Sequence, residues 1–145
     1  MKKLIIVVLL FASGILYAQR NFKPGYYITL NRDSVYGEID YRGDLIMGKR
    51  CTFRKASGEA MIRLLPGEIE AYRFLESKYF VTWEIGGRKV FLEFLIKGEV
   101  NIYYLRDKKG EHYYIEKESE PLTEIPYRKG VVKRDNISYS FETKK

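Results

Sequence analysis

Apolar and polar residues alternate with a period of two along most of the chain, the pattern of strands that bury one face. Clusters rich in Asn, Asp, Ser and Gly separate these runs, as at Asn31–Ser34 and Gly86–Gly87. After the N-terminal segment, no apolar pattern of helical period lasts more than a couple of turns. The predicted strands are Tyr26–Leu30, Val35–Tyr41, Cys51–Lys55, Glu59–Leu65, Lys78–Ile85, Lys89–Ile96, Val100–Arg106, His112–Lys117 and Ile137–Glu142.

Three segments between these strands are less regular. Arg42–Arg50 reads as a loop, Glu68–Phe74 fits either a helical turn or a strand, and Ser119–Tyr127 contains prolines that favour a loop or a sheet edge. Short strands joined by local turns predict an all-β fold, a mainly antiparallel meander forming a roll, small barrel or sandwich. Such short connections exclude βαβ crossovers, and with them the nucleotide-binding α/β folds.

One hairpin departs from simple alternation. Val90–Ile96 is apolar on both faces apart from Glu93, and Val100–Leu105 continues this pattern. A half-exposed sheet carries polar residues on one side. The hairpin is therefore either enclosed on both faces or presents an apolar face to a partner. The predicted partner or ligand surface consists of Phe91, Leu95, Tyr103, Leu105, Tyr113 and Ile115.

The N-terminus has the three parts of a secretory signal peptide. Two lysines precede the apolar run Leu4–Phe11, and small residues lead to Ala18, after which we expect cleavage. The apolar stretch falls short of the ~20 residues that a membrane-spanning helix needs. We therefore expect export to the periplasm, cell envelope or medium. The expected organisation is a signal peptide over 1–18, one β domain over 19–127 and a basic tail over 128–145 with one further strand.

Composition and charge agree with one globular domain. Apolar residues make up 46% and charged residues 31% of 145 residues, which excludes a disordered chain. Tyrosine is abundant, with 13 copies, and alanine is scarce, which favours strands over helices. The net charge of +7 permits an acidic partner. Because the basic residues are spread along the chain, the charge is also typical of solvated surface lysines.

Residues that could carry catalysis are few. A single cysteine, Cys51, and a single histidine, His112, provide neither a disulfide nor a metal-binding set. We expect Cys51 to be buried and His112 to be exposed at a loop edge. Glu38 and Asp40 share a strand face and could act as a carboxylate pair, but they also fit an ordinary solvent-facing surface. We expect no cofactor, no metal, no enzymatic activity and no nucleic-acid partner.

Two blocks of the sequence resemble a known family. Lys23–Leu30 with Asp33–Arg42, and Lys89–Asp107 with Tyr113–Lys117, are similar to shared blocks of exported β-rich proteins from Bacteroidetes-type bacteria. The resemblance covers about Lys23 to Lys117. It implies export and a β fold, and it carries no catalytic residues over to this chain.

Together these observations predict an exported, non-enzymatic interaction module. Its partner would be an envelope protein or a second copy of the chain, bound through the hairpin region Val90–Ile115. The alternative is a glycan- or lipid-binding β domain that uses exposed aromatic side chains.

Overall fold

The computed structural model describes residues 20–134 and 137–144, with side chains over 20–126. Ten strands form one antiparallel sheet that curls into a half-barrel. The predicted all-β antiparallel meander is thus confirmed. The strands of this sheet are β1 Phe22–Thr29, β2 Ser34–Asp40, β3 Cys51–Arg54, β4 Ile62–Leu64, β5 Ile69–Phe74, β6 Tyr79–Ile85, β7 Arg88–Ile96, β8 Val100–Asp107, β9 Gly110–Lys117 and β10 Thr123–Glu124.

The sheet consists of two meanders joined side by side. Strands β1 to β4 follow one another in space, as do β5 to β10, and β1 pairs with β5 to join the two sets. This non-local pairing aligns Tyr26 with Arg73 and Tyr27 with Tyr72. Strand β5 resolves the ambiguity at Glu68–Phe74, and β10 is the short edge strand within the proline-containing segment.

Two glycines face each other on the neighbouring strands β1 and β2. Gly25 and Gly37 are cross-strand partners. A Cβ atom on Gly37 would collide with the Phe53 ring, and one on Gly25 would lie 2.8 Å from Cδ1 of Ile39. The missing side chains therefore make room for two large core residues.

The sheet carries a hydrophobic cluster on each face. The inner core lies within the curl and consists of Ile39, Met47, Cys51, Phe53, Ile69, Tyr72, Phe74, Phe80 and Phe91. The outer cluster lies on the opposite face of β6 to β9 and consists of Val90, Leu92, Tyr103, Leu105 and Tyr114. The adjacent residues Phe91 and Leu92 belong to different clusters and are both 0% exposed. The hairpin with two apolar faces is therefore buried on both at Phe91 and Leu92, whereas Leu95 and Ile96 near its turn are exposed.

A short helix, α1 (Asp44–Met47), fills a gap in the sheet. Register pairing between β7 and β8 begins at Glu93, so the first half of β7 lacks β8 as a neighbour. There the Phe91 amide donates to the Gly48 carbonyl at 3.0 Å, and the Tyr72 hydroxyl donates to the Met47 carbonyl at 2.6 Å. The segment predicted as a plain loop thus forms one helical turn that replaces a missing strand contact.

The C-terminal segment forms a hairpin of its own. The segment with one expected further strand forms a backbone hairpin of two, β11 (Tyr127–Arg134) and β12 (Ile137–Lys144). The predicted signal peptide over 1–18 lies outside the described residues. Within the described residues, no helix is long and apolar enough to span a membrane.

Candidate functional site

Three of the six residues predicted as a partner surface are buried. Phe91 lies in the inner core, whereas Tyr103 and Leu105 lie in the outer cluster and are 5% and 6% exposed. The Tyr103 hydroxyl donates to the Glu116 carboxylate at 2.6 Å, which satisfies its polar atom within the cluster. These side chains stabilise the sheet and are not exposed to a partner.

The other three residues differ in their exposure to solvent. Leu95 is exposed, as is its neighbour Ile96, at the tip of the hairpin. Tyr113 and Ile115 on β9 are half-buried, and the Tyr113 ring packs against Tyr104 with centroids 5.1 Å apart. The structure therefore does not bring the six residues together into one exposed surface.

The structure reveals a different row of side chains on the outer face. We define the aromatic row as Tyr36, Tyr26, Arg73, Tyr79 and Phe94, from the five neighbouring strands β2, β1, β5, β6 and β7. Register places Tyr36 opposite Tyr26, Tyr26 opposite Arg73, and Arg73 opposite Tyr79. With about 4.8 Å between strands, the row extends about 19 Å across the sheet.

Close ring contacts hold the aromatic row together. The Tyr26 and Tyr36 rings lie 5.1 Å apart, and the Tyr79 and Phe94 rings 6.1 Å apart. The Arg73 guanidinium lies 5.8 Å from the Tyr79 ring centre, within cation–π distance. Tyr36 is 62% exposed, Arg73 is exposed, and the other three are half-buried. The row is thus an ordered and accessible aromatic surface.

One end of the aromatic row is anchored in the outer cluster. The Phe94 ring lies 5.1 Å from Tyr103, which in turn lies 5.6 Å from Trp83. Burial raises the pKa of Tyr79, and the nearby Tyr26 and Glu70 raise it further. Its phenol is therefore a neutral hydrogen-bonding group at physiological pH.

The charges beside the aromatic row are largely paired. Glu38 accepts a hydrogen bond from Arg54 at 2.6 Å, and Arg32 lies 4.0 Å from Glu70. Among the described residues, Arg73 makes no ion pair. The row therefore combines aromatic rings with one unpaired cation, and it lacks a continuous positive stripe.

A second feature of the outer face is a pocket at the start of β1. We define the arginine pocket as a recess of about 250 Å³ lined by Arg20, Asp40, Arg42, Arg50, Thr52, Met61, Ile62 and Arg63. Asp40 was expected on a solvent-facing surface, but it is 5% exposed. Its carboxylate accepts the Asn21 amide at 2.8 Å and lies 3.6 Å from the Arg42 guanidinium. Asp40 is thus a buried acidic residue of the pocket lining that already has two partners.

One residue that lines the arginine pocket also carries a buried polar atom without a partner. Arg50 Nε is inaccessible to solvent and makes no hydrogen bond. The Arg20 guanidinium donates to the sulfur of Met61. Among the described residues, neither Arg50 nor Arg63 forms an ion pair. Glu38 is held by Arg54, so the two carboxylates considered as a catalytic pair each have an arginine partner.

Another basic cleft, of about 570 Å³, lies between β7 and β8. Lys49, Arg88, Lys108 and Lys109 are among the residues that line it, with Leu105 at its apolar wall. All four of these basic residues are exposed. Their charges are therefore solvated, and this cleft lacks the buried, unpaired donor of the arginine pocket.

Two groups with nucleophilic potential are held in unreactive states. Burial raises the pKa of the Cys51 thiol, so it stays protonated at neutral pH. Although partial burial lowers the pKa of Lys78, hydrogen bonds to Asp44 and Glu93, each at 2.8 Å, raise it more. Lys78 therefore stays a charged ammonium that links α1 to β7.

His112 was expected to be exposed at a loop edge, but its side chain is only 20% exposed. Nε2 lies 3.0 Å from Asp107 and Nδ1 lies 2.7 Å from Glu124. Burial lowers the pKa of His112, but these two carboxylates raise it more, so it lies above its ordinary value. The imidazole thus links the edge strand β10 to the β8–β9 turn. It lies on the outer face of the sheet, whereas Cys51 lies in the inner core.

Sequence reasoning missed the aromatic row because the row depends on the pairing of β1 with β5. A partial signal is visible in β2, where Tyr36 alternates with Val35 and shares the polar face of Glu38. No cluster of three or more metal-ligating residues occurs in the described part of the chain. Comparison with protein-family models, curated proteins and solved structures finds no match.

Proposed function

We propose that this protein is an exported, non-enzymatic binding module that holds an extended glycan along the aromatic row. The observation that carries the proposal is the register of Tyr36, Tyr26, Arg73 and Tyr79 across four neighbouring strands. A sheet positions these side chains more firmly than a loop would, so little conformational entropy is lost on binding. Export follows from the signal-peptide pattern at the N-terminus.

The chemistry of the row suits sugars. The negative face of an aromatic ring attracts the weakly positive C–H groups on the flat face of a pyranose. Tyrosine hydroxyls add hydrogen bonds at the ring edge, and Arg73 adds five fixed N–H donors in the middle of the row. A ligand of repeated rings matches a surface of repeated rings, whereas a compact ligand would use only part of it.

The charge distribution favours a glycan over a nucleic acid. A single nucleic-acid strand also stacks on aromatic side chains, but it requires a basic groove that follows its phosphates. Beside the row, Arg54 and Arg32 are paired with acids, and Arg73 is the one unpaired cation within it. Repeated phosphates would therefore lack repeated partners.

The protein-binding alternative has less support. Its predicted contact region, Val90–Ile115, buries the rings of Phe91 and Tyr103. Leu95 and Ile96 at the hairpin tip remain exposed, and two side chains form a small apolar patch. An oligomer dissociated by Leu95→Glu would favour self-association over the proposed glycan site.

The proposal is tested by isothermal titration calorimetry with neutral hexasaccharides, namely cellohexaose, chitohexaose and xylohexaose. We expect at least one to bind the wild type and Tyr36→Ala to weaken it about tenfold, the size of effect seen when one stacking ring is removed. The matched control is Leu30→Ala, because Leu30 is also 62% exposed but lies outside the row.

Two outcomes would contradict the glycan proposal. One is the absence of a measurable binding heat when each of the three hexasaccharides is titrated into the wild type. The other is an equal affinity of the Tyr36→Ala and Leu30→Ala variants, which would place the sugar elsewhere. Single-stranded DNA as a parallel probe distinguishes the two stacking ligands, since tighter and salt-dependent DNA binding would favour nucleic acid.

A further inference from the structure

We infer that the arginine pocket binds an oxyanion, and that this oxyanion is an acidic substituent of the bound glycan. The second part rests on the proposed function, whereas the first stands on the pocket alone. A carboxylate, sulfate or phosphate would each present oxygen acceptors to the guanidinium groups.

The arginine pocket carries more positive than negative charge. Four arginines and one aspartate line the recess. The negative charge of Asp40 is already compensated, because its carboxylate lies beside Arg42 and accepts a hydrogen bond from the Asn21 amide. This leaves positive charge at Arg50 and Arg63 without an acidic partner among the described residues. Like charges gathered in one recess repel one another, and a bound anion would relieve that repulsion.

Arg50 has a buried side-chain nitrogen without a hydrogen-bond partner. A buried N–H group without a partner is rare in folded proteins and destabilises the structure. Arg50 Nε is such a group, and it belongs to a residue that lines the recess. Because this nitrogen is inaccessible to solvent, a ligand oxygen would supply the missing acceptor once the Arg50 guanidinium turns toward the recess. The arginine fork then favours a group with two oxygens on one centre, as in all three oxyanions.

The arginine pocket lies near one end of the aromatic row. Asp40 and Tyr36 lie on the same face of β2, four residues apart, which corresponds to about 13 Å along the strand. The Glu38–Arg54 ion pair lies between them on that face. One extended ligand could therefore lie on the rings and place an acidic group in the pocket. A neutral glycan would leave the pocket empty.

The solvent-exposed cleft between β7 and β8 is a weaker anion site. Its basic side chains, such as Lys49 and Lys108, are exposed and therefore fully hydrated. An anion bound there would lose part of its own hydration and gain only contacts to basic side chains whose charge is screened by water. In the arginine pocket, Arg20, Arg42 and Arg63 are exposed as well, but Arg50 is half-buried, so water screens its charge less.

The first experiment uses sodium sulfate, sodium phosphate and sodium acetate as separate probes, with binding followed by amide chemical shifts. We expect saturable shifts around Thr52 and Arg63 with at least one anion. Arg50→Gln and Arg63→Gln should each weaken binding about tenfold, the size of effect of one charged hydrogen bond. Arg32→Gln removes the same charge from a side chain that is 86% exposed and should have no effect.

Lys49→Gln is the second control, since it probes the competing cleft. Weaker anion binding by Lys49→Gln but not by Arg50→Gln would overturn the pocket assignment. So would equal binding by the wild type and both pocket variants. Arg63 lies on the edge strand β4 and is exposed, so its variant tests the pocket even where Arg50→Gln does not fold.

The second experiment separates this inference from the proposed function. Hexagalacturonate and its neutral methyl ester are titrated into the wild type, Tyr36→Ala and Arg50→Gln. We expect Tyr36→Ala to weaken both sugars, and Arg50→Gln to weaken only the acid. Equal preference of the wild type for acid and ester would overturn the acidic-substituent inference while leaving the glycan row intact. Loss of acid binding with Arg50→Gln but not with Tyr36→Ala would instead overturn the row.

Discussion

The outer face of the sheet differs between its two halves. Over β6 to β9 it is closed by the outer cluster, in which Leu92 is 0% exposed and Tyr103 is 5% exposed. Over β1, β2 and β5 it remains open, with Tyr36 62% exposed and Arg73 exposed. The closed half builds stability from two layers of packing. The open half needs only the inner core beneath it, so its outer side chains are free to bind.

This contrast rests on residue type and not on strand geometry. Both halves alternate with the same period, but the closed half places Val, Leu and Trp outward, where burial removes apolar surface from water. The open half places Tyr, Arg and Glu outward, which combine apolar area with groups that prefer hydration. Substitutions in the two halves should therefore affect different properties.

The largest expected effect is on stability in the closed half. Leu92→Ala truncates a side chain of the outer cluster that is 0% exposed. We expect a loss of about 2–5 kcal/mol in the free energy of unfolding, measured by urea denaturation. Tyr36→Ala in the open half should stay within about 1 kcal/mol of the wild type, as expected for an exposed position. Similar losses for both variants would contradict the contrast.

A smaller effect is expected where the open half curls over the inner core. Gly37→Ala places a methyl group against the Phe53 ring and the Arg54 carbonyl. Overpacking of this kind costs about 1–3 kcal/mol, again measured by urea denaturation. Gly98→Ala is the matched control, because its methyl group would meet nothing closer than 3.7 Å. A neutral Gly37→Ala variant would mean that β2 does not approach Phe53 as described.

The smallest effect concerns pH and the edge strand β10. Because Asp107 and Glu124 raise the pKa of His112 above its ordinary 6.5, its contribution to stability is complete below that pH. The contribution is lost as the pH rises through the raised value, since one ring nitrogen then faces a carboxylate without a proton. We expect a modest fall in the unfolding midpoint as the pH rises above 6.5 and through the raised pKa of His112.

His112→Gln provides the control for the pH effect, because its amide has no charge to lose. The difference in unfolding midpoint between the wild type and this variant should shrink as the pH rises. A difference that grows over the same range, or one that stays constant, would show that His112 does not hold β10 as an imidazolium.

The local part of the fold was predictable from sequence, because alternation and turn residues act over a few positions. Strands such as Val35–Tyr41 and Lys78–Ile85 were found within one or two residues of their observed limits. The burial of Ile39 in the inner core agrees with the alternation of apolar and polar residues in Val35–Tyr41. What could not be predicted was the β1–β5 pairing, which depends on how two separate meanders meet.

The candidate site was less predictable than the fold. Apolar residues on both faces of β7 permitted either enclosure or an exposed surface, and only the packing of Phe91 and Leu92 decides between them. The arginine pocket gathers Arg20, Arg50 and Arg63 from distant parts of the chain. Its existence depends on the β2–β3–β4 pairing, and no local spacing of arginines indicates it.

The most direct test of the central claim is an NMR titration that follows the tyrosine ring resonances while a binding hexasaccharide is added. The account predicts that the signals of Tyr36, Tyr26 and Tyr79 move together and saturate, while those of the buried Tyr72 and Tyr114 stay in place. Shifts confined to the hairpin tip around Leu95, with the row unchanged, would contradict it.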